Sequence, residues 1–174
     1  VSPRARRRLT LALAVLTALV MALSIPGSLR DAWAHGGLYV FTQEFLDDIP
    51  RRLAGPGRMR FVLQPSAAIL LGILAGRRDS RAGRTPFLLA LVLGGQPRGE
   101  LLRSAASDIV NLVLMGVLLD ALSQRIILGM VHPGVALIVG PALVSGPYVL
   151  ARALANRATT ALDRRRTRRG VGRS

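Results

Sequence analysis

The feature that most constrains this chain is the alternation of long uncharged apolar runs with clusters of arginine. Four stretches approach the roughly 17–25 apolar helical residues that cross a hydrocarbon core about 30 Å thick. Leu9 to Ile25 carries no charge and is followed by Pro26-Gly27, a pair expected to stop a helix. Phe61 to Gly76 is short, but Arg58, Arg60, Arg77 and Arg78 flank it, and their long side chains can snorkel to the two interfaces. Ala105 to Gln124 is long enough and holds Asp108, Asn111 and Asp120. Gly134 to Leu154 is interrupted by Pro141 and Pro147, read as kinks whose freed carbonyls neighbouring helices satisfy.

Composition agrees with segregation into membrane and water. Hydrophobic residues make up 51% of the 174, yet the formal net charge is +15, a pairing that one soluble core would struggle to accommodate. All 24 basic residues are arginine, which reads as codon bias in a GC-rich genome, and Val1 reads as an alternative start in a bacterial frame. With no cysteine, a disulfide framework, a thiolate metal site and a Cys nucleophile are all excluded. An N-terminus in the cytoplasm puts 18 arginines inside and six outside, so both termini are expected on the cytoplasmic face of a bacterial inner membrane.

The stretch "LRDAWAHGG" decides how many spans remain. Ala32-Trp33-Ala34 has the small-x-small form of a signal-peptidase site, and an arginine cluster and an apolar run precede it. Cleavage there would leave three spans and make His35 the first residue. Against cleavage, Leu9 to Ile25 exceeds the usual 7–15 residue signal core, and Arg30 and Asp31 put charge just ahead of the cut. Residues 1–34 are therefore expected to form an uncut signal anchor, with a cleaved signal peptide as the alternative. Residues 35–157 then form the membrane-embedded domain, with spans near 61–76, 105–124 and 134–154. Residues 158–174 form a basic tail whose "DRRRTRRGVGRS" suits anionic lipid headgroups rather than nucleic acid, with a disordered end.

Two shorter segments are expected to lie along the interfaces. Leu38, Phe41, Phe45, Ile49 and Leu53 recur at three- and four-residue steps with Gln43, Glu44, Asp47, Asp48, Arg51 and Arg52 between them. That spacing predicts an amphipathic helix in the outer interface, bent or ended by Pro50. On the inner side "TPFLLALVLGG" has Thr85 as N-cap, Pro86 at the first helical position and a stop at Gly94-Gly95. The expected fold is thus all-α and multi-pass, with four spans (three after cleavage) and two short interfacial helices.

Ionisable residues inside a span are costly and mark sites by default. Asp108 lies one turn inside the cytoplasmic end of its helix, near Arg103, and Asn111 shares its face. Asp120 lies one turn from the outer end, beside Gln124. The two aspartates are about 18 Å apart along the helix and point about 120° apart, so they form no carboxylate pair. Gln64-Pro65 offers an amide and a freed carbonyl to a neighbouring helix. Small residues at four-residue steps, Ala68 with Gly72 and Gly76, Ala136 with Gly140, and Ala142 with Gly146, suit close helix contact. A free α-amino group and imidazole at His35, joined by His132, would be a candidate copper site; a pair of ordinary loop histidines is the plainer expectation.

No Gly-rich phosphate loop, HExxH helix or GxSxG elbow is present, so no catalytic residue and no cofactor is expected. At "GPGRMRFVLQP", "ILLGI", "RAGRTPF", "GELLRSA" and "HPGVALIVGPALVSGPYVLARALANR" the chain resembles a group of small multi-pass bacterial membrane proteins without an assigned activity. The likeness runs from about Gly36 to Arg157 and implies a bacterial membrane protein. The expected function is that of a non-enzymatic accessory or structural membrane component, acting by helix contacts with itself or a partner membrane protein. The alternative is a small transporter or channel for a cation or metal ion, carried by Gln64, Asp108, Asn111 and Asp120.

Overall fold

The computed structural model of the chain describes residues 2–55, 57–85, 87, 89 and 98–171. Among them the regular structure is helical, with no strand. In chain order it comprises α1 (Pro3–His35), a 3-10 turn (Tyr39–Phe41), α2 (Gln43–Asp47), α3 (Ile49–Ala54), α4 (Arg60–Arg81), α5 (Arg98–Leu128) and α6 (Pro133–Val171). Among the described residues, three helical stretches are long and apolar enough to cross a membrane: Arg4–His35, Leu102–Leu128 and Pro133–Asp163. This is a membrane protein's pattern of length and composition.

Local chemistry sets the ends of α1 but not its middle. The Ser2 hydroxyl accepts the Ala5 amide at 3.2 Å, and Pro3 fits the first turn, where an amide would have no partner. Gly36, at φ 72°, closes the helix in the left-handed conformation that other residues avoid, and the Gly37 amide bonds the Ala32 carbonyl at 3.0 Å. The break expected at Pro26-Gly27 does not occur, because Pro26 lies inside the continuous helix. Its ring forfeits one amide, the one that would meet the Ala22 carbonyl. Contacts on both sides of the proline, Met21 in a buried apolar cluster and Asp31 beside His132, hold the helix through that single gap.

The later helices outrun the expected spans. α6 continues through Pro141 and Pro147 to Val171, so the tail expected to be disordered is helical as far as that residue. "ARALANRATTALDRRRTRR" is rich in Ala, Leu and Arg, all strong helix formers. The inner helix expected over residues 85–95 lies, apart from Thr85, Phe87 and Leu89, outside the described residues.

The amphipathic segment differs most. Instead of one helix over residues 38–53 there are three short pieces, and α2 gives way to α3 because Pro50 has no amide for the Leu46 carbonyl. Its apolar residues face outward and its buried positions include polar ones. Phe41 is 82% exposed, and Leu38, Leu46, Ile49 and Leu53 are exposed as well, while Tyr39, Asp48 and Arg52 are buried. The same arrangement recurs along the long helices. Leu23, Leu63, Leu70, Leu150 and Leu154 face outward, whereas Gln64, Asp79, Asp120, Gln124, Arg152 and Asn156 are buried. Lipid accommodates an apolar exterior, and buried polar groups then join helices to one another.

The chain divides into two compact units. The first comprises Val1–Gln64 and Val110–Val144, the second Pro65–Ile109 and Ser145–Ser174. In the first, Met21 of α1, Val117 and Ala121 of α5 and Ala136 of α6 form a buried cluster flanked by Val20 and Val131. In the second, α4 and α6 touch through glycine. A Cβ added at Gly72 would lie 2.5 Å from the Tyr148 carbonyl oxygen, and one at Gly76 would collide with the Arg152 carbonyl oxygen. Only hydrogen allows that approach.

Candidate functional site: two buried charge networks

The first unit is organised around Asp120. On α5, Asp120 and Gln124 stand one turn apart, and the Gln124 amide donates to Asp120 Oδ2 at 2.5 Å. α4 begins with Arg60, whose Nη2 lies 2.9 Å from Asp120 Oδ1 and whose Nη1 donates to the Leu119 carbonyl at 3.3 Å. Arg52 of α3 approaches the same oxygen at 4.0 Å. Asp120 is 1% exposed, and both arginines are buried with it. One carboxylate therefore faces two guanidinium groups away from water. Arg52 offsets part of the imbalance by lying over aromatic rings, 5.5 Å from the Phe45 centroid and 5.8 Å from that of Tyr39. Its three nitrogens have no hydrogen-bond partner among the described residues.

The network continues into the loop before α6. The Gln124 side-chain oxygen accepts the His132 amide at 2.8 Å, which fixes that loop to α5. The His132 ring stacks on Tyr39 with centroids 3.8 Å apart and planes 14° apart. Its Nδ1 lies 3.8 Å from Asp31, which also pairs with His35 at 3.2 Å. Burial pushes the His132 imidazole below its usual range, against a smaller upward pull from Asp31. The Tyr39 hydroxyl donates to Asp48 Oδ2 at 2.6 Å, and burial, with that bond, pushes its pKa up to about 12.

The second unit holds a second network. Arg152 of α6 donates through Nε to Asp79 of α4 at 2.6 Å and through Nη1 to the Tyr148 hydroxyl at 3.0 Å. Tyr148 in turn donates to Asp108 of α5 at 2.9 Å. Arg84 pairs with the other Asp79 oxygen at 3.5 Å, and its carbonyl accepts the Asn156 amide at 3.2 Å. Phe87 lies under the Arg152 guanidinium at 4.8 Å. Gly72 and Gly76 bring α4 and α6 close enough for Asp79 and Arg152 to meet, and Ser80 with Thr160 adds a bond of 2.9 Å one turn on.

The residues singled out from sequence fall into different surroundings. Asp120 joins Gln124, as their spacing implies, but its charge partners are Arg60 and Arg52. Arg60 is therefore buried in an ion pair rather than snorkelling to an interface. Asp108 bonds Tyr148, and among the described residues no ion pair joins it to Arg103. Asn111 accepts the Thr10 hydroxyl of α1 at 2.7 Å. Gln64 is buried beside Gly116, with neither side-chain atom bonded. Ala68 is fully buried, and a Cβ at Gly140 would sit 2.7 Å from the Val117 amide nitrogen. Gly146 has open space where a Cβ would go, so it forms no close crossing. Asp31 brings His35 and His132 to one carboxylate, yet among the described residues no group of three His, Cys, Asp or Glu is placed to hold a metal ion.

Sequence reading missed Arg52, Arg60, Asp79, Tyr148 and Arg152. Arg152 carried a usable signal: it sits inside the apolar run ending at Leu154, where an arginine demands a carboxylate. Each network leaves its carboxylates engaged by guanidinium, amide or hydroxyl groups, and each ties together segments distant in sequence. No protein-family model matches this chain, and neither does any curated protein or solved structure.

Proposed function

We infer that the chain is a four-span protein of a bacterial inner membrane with both termini cytoplasmic, and that it serves as a non-enzymatic structural or accessory component. α1 acts as a retained anchor. Its contacts support that role, since Thr10 bonds Asn111 and Met21 joins the cluster of Val117, Ala121 and Ala136. α4 is the fourth span. Its uncharged stretch of about 24 Å is shorter than the hydrocarbon core, and Arg77 and Arg78 extend it at one end by snorkelling. The segment before α4 lies along the outer interface with Leu38, Phe41 and Leu53 toward lipid.

The observation that carries the non-transport reading is the engagement of Asp108 and Asp120. An ion path needs a carboxylate that can exchange partners. Asp120 instead faces two buried arginines and Asp108 accepts a tyrosine hydroxyl. Such fixed pairs hold helices in register.

The test is reconstitution into liposomes loaded with indicators for protons, potassium, magnesium and zinc. Flux equal to that of protein-free liposomes is the expected result. Flux above that level, lost in Asp108→Asn or Asp120→Asn, would establish the transport alternative.

A further inference from the structure

In the second unit, α4 and α6 leave an open groove of about 800 Å³ on their outward side. Ile69 and Ile73 of α4 and Leu150 and Leu154 of α6 line its length, and Arg77 and Arg81 line one end. The volume falls within the roughly 300–1,000 Å³ typical of small-molecule sites. The two helices run parallel here, because Gly72 faces Tyr148 and Ala151, Gly76 faces Arg152 and Ala155, and Ser80 meets Thr160. Both arginines therefore project from the same end, one turn apart on one face.

Dimensions and charge select the occupant. From Ile69 to Arg77 is about 12 Å of helix, and to Arg81 about 18 Å. Half of a hydrocarbon core is about 15 Å, so the apolar floor matches one leaflet and the guanidinium groups match its headgroup level. Arg77 and Arg81 are exposed and make no ion pair among the described residues. By contrast, Arg84 and Arg152 beside them are both committed to Asp79. Asp163 also lines this end and has a partner of its own. Two arginines against one aspartate leave a net positive mouth at the end of an apolar slot.

We propose that this groove seats one acyl chain of an anionic phospholipid from the cytoplasmic leaflet, with the phosphate on Arg77 and Arg81. The proposal rests on α4 being a membrane span with its C-terminal end cytoplasmic. Electrostatic attraction near a membrane surface is worth enough per arginine for the pair to give about 10- to 30-fold preference for an anionic headgroup.

The experiment delipidates the full chain in mild detergent and titrates it with phosphatidylglycerol or phosphatidylcholine, counting bound lipid by native mass spectrometry. Wild-type protein is expected to hold one phosphatidylglycerol at concentrations where phosphatidylcholine is absent. Arg77→Gln with Arg81→Gln should remove the preference, Ile73→Trp should remove binding of either lipid, and Arg30→Gln should change nothing. If Ile73→Trp fails to fold, the arginine pair still decides. Phosphatidylglycerol retention unchanged by the arginine substitutions overturns the proposal. A spin label at Leu70, quenched by oxygen and shielded from aqueous nickel, checks separately that α4 lies in lipid. Aqueous access there would overturn the span assignment itself.

Discussion

Replacing Asp120 by asparagine keeps the shape of the side chain and removes only its charge, so it isolates what that charge does. The carboxylate lies 2.9 Å from Arg60 and 4.0 Å from Arg52, all three buried. At an effective dielectric near 20, two unit charges 4 Å apart interact by about 4 kcal/mol. Desolvation cancels much of that gross attraction while the pair is intact. Once Asp120 is neutral the desolvated guanidinium groups remain and repel each other, and breaking a buried pair in this way costs about 3–5 kcal/mol. Against a total stability of about 5–15 kcal/mol this is a large fraction. Pulse proteolysis across a series of sodium dodecyl sulfate fractions in dodecylmaltoside micelles reads the change. The double variant Asp120→Asn with Arg60→Met should recover at least half of the loss, because it removes the better-placed orphan charge. A single-variant cost under about 1 kcal/mol, or a double variant no better than the single, would refute the account of the network.

The other expectations follow from distinct contacts. Gly76→Ala should destabilise by at least about 1–3 kcal/mol, since the added Cβ meets the Arg152 backbone, whereas Gly146→Ala should be neutral or stabilising by up to about 1 kcal/mol in the same assay. Burial holds the His132 imidazole below its usual range, so the unfolded chain gains its proton first as pH falls. Stability should be full above about pH 6.5 and decline below it, and His132→Asn should flatten that decline in unfolding measurements between pH 5 and 8. Tyr39, raised to about 12, implies the mirror effect. Stability should fall above about pH 10, where the unfolded phenol ionises first, and Tyr39→Phe should remove that alkaline slope. The chain contains no cysteine, so single substitutions map its topology cleanly. Asp47→Cys should react with a membrane-impermeant maleimide in spheroplasts and Ala82→Cys only after permeabilisation; the reverse pattern would invert the proposed orientation.

Helix type and approximate position were legible because both depend on local chemistry. A run such as Leu9 to Ile25 satisfies its own backbone only as a helix in lipid, and α5 and α6 cover the apolar runs identified within them. Boundaries were less legible. Pro26 removes one hydrogen bond, a local cost, while the contacts that outweigh it come from α5, α6 and the His132 loop. The segment over residues 38–53 shows a further limit. Three- and four-residue spacing tells which residues share a helical face but not what lies beyond each face. Here a charged network waits on one side, so Asp48 and Arg52 turn inward and Phe41 and Leu53 turn out.

The sequence by itself determined that the chain is helical, apolar enough for a membrane, free of thiol chemistry and marked by a few polar residues within apolar runs. Those properties are sums over short stretches, and each stretch carries them alone. Only the tertiary structure decided which partners those polar residues take. Asp120 meets Arg60 across 60 residues of chain, and Arg152 meets Asp79 across 73. Glycine spacing indicated that helices could approach, yet Gly76 lies against a neighbour and Gly146 does not. A buried charge requires some counter-charge, which is a constraint on type. Which one it receives depends on where distant helices cross, and no window of sequence contains that geometry.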